Sequence, residues 1–235
     1  MNVVVTGASK GIGFHIVQAL ARAGVLKIIG ISRNYKQLCE LKDICSQLSM
    51  TEFIPLSFDF QQITTNEPKL AGLLKQHMNH VDILINNAGT LVNKPFDQIS
   101  VEEINRIMIV NFMAPALLIK NLLPLLKAGQ AHVVNITSMG GFQGSIKFKG
   151  LSHYSASKAA LASLTESLAE EYKLDGLVFN ALALGAVQTE MLAEAFPNYK
   201  APVTPEQMGE FIANFSMNGK AFFNGKILPI STSTP

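Results

Sequence analysis

Thr6-Gly7-Ala8-Ser9-Lys10-Gly11-Ile12-Gly13 decides the fold, because it joins a short apolar run to an amphipathic one. Ahead of it, Val3-Val4-Val5 reads as a very short strand. Behind it, Ile12, Ile16 and Leu20 fall on one face of a helix that Gly24 stops. Each glycine has a physical reason. Gly7 permits a tight turn off the strand, Gly11 lets backbone approach a pyrophosphate, and Gly13 lets the helix pack close to the sheet. A helix that begins here offers free N–H groups and the positive end of its dipole to phosphate. The spacing differs from the general G-x-G-x-x-G pattern, and no Gly-Lys-Ser/Thr follows, so the turn is not a P-loop.

Outward from this turn, Lys27–Ser32, Phe53–Phe58, Val81–Ile85, Val133–Ile136, Leu177–Ala183 and Lys226–Ile230 read as further strands. Ser100-Val101-Glu102-Glu103 is a capping box, with Ile99 and Ile104 placed as its hydrophobic staple, and opens a helix that continues toward Leu126. Another helix, rich in Ala and Leu, spans about Ser152 to Tyr172, while Gly140–Gly150 and Met191–Thr204 read as the two longest loops. Strands apolar on both faces, alternating with helices, predict an α/β fold. It is a doubly wound parallel sheet of the Rossmann type, with three layers, about seven strands and a single domain over residues 1–235.

The net charge of +2 is too small to indicate nucleic-acid binding. Only 15% of residues are charged and 48% are hydrophobic, which hints that a partner subunit covers some apolar surface. Cys39 and Cys45 have no Cys or His companions at ligand spacing, so they read as reduced thiols and no metal site is expected. Asn135-Ile136-Thr137 has the form of a glycosylation site but lies in an apolar strand. No basic n-region precedes Val3, and no uninterrupted apolar run reaches membrane-spanning length. The expectation is a soluble, cytoplasmic chain without membrane contact.

Further stretches follow in order. Asn86-Asn87-Ala88-Gly89 comes directly after the fourth strand, Asn111 lies in the next helix, and Ser138 ends the fifth strand. Tyr154-Ser155-Ala156-Ser157-Lys158 opens the Ala-rich helix. Together with the glycine turn these resemble the signatures of the short-chain dehydrogenase/reductase family, from Met1 to about Met191. The resemblance implies hydride transfer between a nicotinamide and a ketone, aldehyde or secondary alcohol. It implies a catalytic set of Asn111, Ser138, Tyr154 and Lys158. The implied cofactor set is Gly7, Ser9, Lys10, Gly11, Ile12, Gly13, Ser32, Arg33, Asp59, Phe60, Asn87, Ala88, Gly89, Tyr154, Lys158, Gly185, Val187 and Thr189. In that set Asp59 faces the adenine amino group and Thr189 the carboxamide. The resemblance also implies that the Ser100 and Tyr154 helices pair copies into a homodimer or homotetramer.

The residues themselves carry part of this. An NAD site usually has an acid about 20 residues past the glycines. Here the second strand ends Ser32-Arg33-Asn34 and no acid precedes Glu40, while Arg33 and Lys10 offer positive charge to a 2′-phosphate, so NADP(H) is expected. Tyr154 and Lys158, four apart, share a helical face, where the ammonium would favour phenolate. Ser138 can hold the same substrate oxygen. Pro115 has no N–H, so the Asn111 carbonyl lacks its helical partner and can hold a water of a proton relay.

Ser138 and Tyr154 lie 16 apart, wider than is usual in the family, and the extra residues, Ser145–Gly150, should bulge at the site mouth. Leu184-Gly185 stands where relatives have Pro-Gly, and the ending Ser231–Pro235 lacks their glycine-rich tail. Met139, Phe142, Phe148, Leu184, Met191, Leu192 and Phe196 are candidate pocket residues. Carrier-bound ketoacyl groups, pteridines and general carbonyl compounds are all compatible with such a pocket. The competing reading is a non-catalytic NADP(H)-binding regulator, which would not need the Tyr/Lys/Ser set.

Overall fold

Val3, Val4 and Val5 are all fully buried because their alternate side chains enter opposite layers. Val3 and Val5 pack with Ile16 and Leu20, whereas Val4 packs with Leu84 and Leu118. Both faces carry helices, so the strand shows no polar alternation. The computed structural model describes residues 1–232, apart from the side chains of Glu67 and Pro68. Residues 233–235 of the unusual ending therefore lie outside the described residues.

The strands are β1 (Asn2–Thr6), β2 (Lys27–Ser32), β3 (Glu52–Ser57), β4 (Ile83–Asn86), β5 (His132–Ser138), β6 (Val178–Leu184) and β7 (Lys226–Ile230). They form one parallel sheet in the order β3-β2-β1-β4-β5-β6-β7. Helices α1 (Gly11–Arg22) and α2 (Tyr35–Leu48) supply Leu20 and Leu38 to one face of the sheet. Helix α3 (Ile63–His77) supplies Leu70 to the other. Then come α4 (Val101–Met108), α5 (Ala114–Gly129), α6 (Ser152–Glu171), α7 (Glu190–Ala195) and α8 (Pro205–Asn218). Leu118 and Leu122 of α5 join the α3 face, and Ile212 of α8 joins the α1 face. The direction of winding reverses between β1 and β4, which opens a crevice at their C-terminal ends, where the glycine turn and Asn86–Gly89 emerge.

Three expectations need correction or refinement. Met191–Thr204 is not a loop throughout, because Thr189 accepts from Leu192 N at 3.2 Å and starts α7. The helix from Ser100 runs to Gly129 with a π turn at Ile109–Met113, where Ala114 N–H donates to Ile109 O, five residues back. Pro115 cannot supply the donor of a regular turn, and the π turn lies just before it. Finally, the helical run 101–129 is long and apolar enough to cross a membrane by length and composition, with a mean hydropathy of 1.7 over its most apolar 18 residues. Asn111, Lys120 and Asn121 interrupt it in the sequence, and Leu118, Ile119, Leu122 and Leu126 are buried against the sheet.

Asn135 of the glycosylation-like triplet is fully buried, donating to Thr165 Oγ1 at 2.9 Å and accepting from Asn86 Nδ2 at 2.8 Å. Each edge strand carries a proline, Pro55 in β3 and Pro229 in β7. Glu52 and Phe58 donate their N–H groups toward the β2 side, and Ile230 O accepts from Gly185. By alternation, Pro55 and Pro229 turn their nitrogens away from the sheet, the position where an edge strand tolerates proline.

Candidate active site

Gly7 has φ +69°, and a Cβ there would fall 2.9 Å from Ala88 Cα. A Cβ on Gly13 would run into the Gly7 carbonyl oxygen and stand 2.5 Å from Asn87 Nδ2. Gly13 therefore packs beneath the turn and does not line the cleft. Thr6 Oγ1 accepts from Asn87 N at 3.0 Å and from Ala88 N at 2.9 Å. Asn87 Nδ2 in turn donates to Thr6 O at 3.0 Å and Gly7 O at 3.3 Å. The side chain of Asn87 thus holds the turn in shape. At the start of α1, Lys10 provides no side-chain cap, so the first helical N–H groups remain available to an anion.

A cleft of about 1090 Å³ runs along the C-terminal ends of the strands. Every cofactor residue named from the sequence except Gly13 lines it, as do Ser138, Tyr154 and Lys158. Ser9 and Ser32 hydroxyls meet at 2.7 Å and join the glycine turn to the end of β2. Arg33 lines the cleft beside them, and no carboxylate follows on that strand end. Lys10 pairs with Glu190 across the cleft, so it faces α7 as well as the site expected for a 2′-phosphate. Asp59 lines the cleft and accepts from Gln61 N at 3.0 Å. An uncapped helix N-terminus, a bare glycine turn and a facing arginine fit a phosphorylated dinucleotide.

At the other side of the crevice, the Tyr154 phenol lies beside Ser138, whose Oγ accepts from Gly140 N at 3.2 Å. Burial pushes the Tyr154 phenol above the usual tyrosine range, and the neighbouring Ser138 hydroxyl opposes this only in part. The phenolate expected from the nearby ammonium is therefore not what the chain alone favours. Burial likewise lowers Lys158, to about 8. Lys158 Nζ donates to Ile136 O at 2.8 Å and lies 5.9 Å from the Tyr154 ring centroid. Asn111 is fully buried and does not line the cleft. Its Nδ2 donates to Thr90 O at 2.9 Å and Ser157 Oγ at 3.0 Å, and its Oδ1 accepts from Thr90 N at 2.8 Å. Ser157 Oγ passes the contact on to Tyr154 O at 2.7 Å.

Six of the seven pocket candidates line the cleft; Phe142 does not. Residues 145–150 do bulge at the mouth, where Lys147 Nζ donates to Gly140 O at 2.9 Å and Phe142 O at 2.6 Å. His15, Thr90, Arg106, Glu190, Glu194 and Tyr199 also line the cleft without having been expected. His15 had a signal, being one turn beyond Gly11 on the same helical face. Glu194 and Tyr199 had none, since only the course of the chain after Thr189 brings them there.

A sheet wound in this order, with a glycine turn and a Tyr-Lys pair on one crevice, defines a dinucleotide-dependent oxidoreductase fold. Residues 1–200 match the short chain dehydrogenase family, and the chain belongs to that family. It is accordingly an oxidoreductase of a family that works with a nicotinamide cofactor. It is 31% identical over 207 residues to an NADPH-dependent pterin aldehyde reductase of Arabidopsis thaliana, covering 86% of this chain and 82% of that protein. It is 30% identical over 227 residues to the ketoacyl reductase HetN of Nostoc sp., covering 92% of this chain and 75% of that protein. Among solved structures, one described as an NAD(P)-dependent gluconate 5-dehydrogenase from Beutenbergia cavernae with bound NADP superposes with a TM-score of 0.87 at 27% identity. That match covers 97% of this chain and 94% of that one.

Proposed function

We infer that residues 1–235 form a single NADP(H)-binding catalytic domain that reduces a ketone or aldehyde, or oxidises the corresponding alcohol. The observation that carries this is the placement of Tyr154 beside Ser138, backed by buried Lys158, on the same cleft as the glycine turn. Bound NADP(H) supplies the hydride to the carbonyl carbon, or takes it in the reverse direction. Arg33 and Ser9 hold the phosphorylated ribose, while the α1 N–H groups meet the pyrophosphate. Relatives named for NADPH and NADP support the choice of cofactor.

In reduction, Tyr154 gives its proton to the substrate oxygen, so carbon gains hydride, oxygen gains a proton and an alcohol results. A phenol held protonated by burial is in the form this step needs. Ser138 donates a hydrogen bond to the same oxygen as negative charge develops there. The tyrosinate left behind is stabilised by cationic Lys158, which also holds the nicotinamide ribose. Asn111 positions the Thr90 backbone and Ser157, and its carbonyl offers a station for water that returns a proton to Lys158. Exposed or half-buried Ala156, Ala159, Ala160 and Leu164 on α6 support pairing of copies into a homodimer or homotetramer.

Three variants test the assignment. Tyr154→Phe should bind NADPH nearly as wild type and lose turnover by ~10²-fold or more. Ser138→Ala should lose turnover and keep the cofactor, whereas Lys158→Ala should lose both. A folded Tyr154→Phe protein with wild-type turnover removes Tyr154 from the mechanism and favours a binding-only role.

A further inference from the structure

The part of the cleft bounded by β5–β7 differs in chemistry from the part bounded by β1–β3. Around Ser138 and Tyr154 it is lined by Phe148, Phe196 and Tyr199, together with Met139 and Met191. Three aromatic rings and two thioethers offer flat, polarisable surface and few hydrogen-bonding atoms. The charges on this side are few. Lys158 is buried behind Tyr154, and Glu190 is paired with Lys10. Lys147 spends its ammonium on the carbonyls of Gly140 and Phe142 and on Ser145 Oγ. Arg106 belongs to the other end, one turn before Val110, which packs with Phe58 and Phe60 after β3. Glu194 remains: it lines the cleft, and among the described residues no hydrogen bond or ion pair engages it.

The walls are also tied together. Asn93 Nδ2 donates to Ala195 O at 2.8 Å, and Lys94 N donates to Gly150 O at 3.1 Å. The segment after Gly89, the 145–150 bulge and α7 are thereby joined into one rim, so the walls of this slot are tied together before substrate enters.

We propose that this slot takes a planar aromatic or heteroaromatic aldehyde or ketone that bears no anionic group and presents an N–H donor to Glu194. The assignment rests on Tyr154 as the acid that faces the reacting carbonyl. A ring stacks between Phe148 and Phe196 or Tyr199 without leaving polar atoms unpaired. A polyol would bury several hydroxyl groups against Phe and Met with no partners. A carboxylate or phosphate would meet Glu194 and, among the described residues lining this end of the cleft, no available cation. An amino or ring N–H group instead gains a charge-assisted hydrogen bond to that carboxylate.

The test follows NADPH oxidation with matched carbonyl compounds: benzaldehyde, para-aminobenzaldehyde, an amino-substituted pteridine aldehyde, para-carboxybenzaldehyde and glyceraldehyde. The expected kcat/KM is highest for the two amino-bearing rings and lower for benzaldehyde. It is lower by about tenfold or more again for the carboxylate and the polyol. Glu194→Gln should narrow the gap between amino and carboxylate rings, and Glu194→Lys should reverse it; Glu194 is exposed, so both variants should fold. Higher kcat/KM for the carboxylate or the polyol, or an unchanged ranking in Glu194→Lys, overturns the slot assignment and leaves the reductase reading intact. If NADPH binds and no carbonyl is reduced, the reductase reading fails, and calorimetry on the NADPH-loaded protein decides the slot by itself. Para-aminobenzamide should then bind more tightly than para-carboxybenzamide, and the reverse order overturns the proposal.

Discussion

The β1–β3 end of the cleft is walled by backbone, and the β5–β7 end by side chains. At the first, the glycine turn, the uncapped start of α1 and the Thr6–Asn87 hydrogen bonds leave little freedom in residue choice. At the second, Phe148, Phe196 and Tyr199 hang from a bulge, the C-cap of a six-residue helix and the loop that follows it. The contrast separates two tasks. Phosphate groups are the same in every dinucleotide and reward a rigid set of N–H donors, whereas substrates vary and reward walls that can change without moving the sheet.

The comparison can be broken most sharply at Gly13. Gly13→Ala places a methyl against the Gly7 carbonyl, so stability should fall by about 3 kcal/mol, with NADPH binding lost alongside. A chemical-denaturation curve matching wild type would show that the turn yields as easily as a loop. Arg33→Ala probes a side chain on which the backbone end relies for choosing its cofactor. NADPH affinity should weaken by about tenfold or more while NADH affinity holds. Equal wild-type affinities for the two cofactors would remove Arg33 from that role.

At the side-chain end, pH supplies the next test. Lys158, lowered to about 8 by burial, is cationic below that value and neutral above it. Turnover in reduction should therefore fall several-fold as pH rises through about 8, and Lys158→Arg should carry the fall to higher pH because guanidinium does not deprotonate there. A wild-type profile flat from about pH 7 to about pH 9.5 contradicts this. The smallest expected effect is on association. Leu164→Glu on the uncovered face of α6 should shift sedimentation toward monomer and leave each copy's cofactor affinity within about twofold. Wild-type sedimentation as monomer at micromolar concentration would be the contrary result.

What could be read from the sequence follows the same division. The seven strands, the capping box at Ser100 and the four-residue spacing of Tyr154 and Lys158 announce themselves, because burial on two faces and helical spacing are local in sequence. The π turn at Ile109–Met113 was only half legible: Pro115 signals a missing donor, but not that the helix widens by one residue just before it. Helix α7 was hidden because its cap, Thr189, also has the look of a ligand contact. Glu194 and Tyr199 carry no periodicity or motif, and their place on the cleft depends on how far the chain travels before α8 begins. Phe142 misled in the opposite sense, being near Ser138 in sequence and turned away from the cleft in space.

The two outward-facing prolines at the margins of the sheet have a consequence for crowding. A newly made chain concentrated with its own copies exposes β3 and β7 as templates, and an eighth strand added at either margin would find a ladder donor missing at Pro55 or Pro229. Growth of the sheet from molecule to molecule, the first step toward fibres, is thus obstructed at both flanks by a single ring each. Replacing either proline with valine leaves every bond inside the sheet in place and makes that flank adhesive.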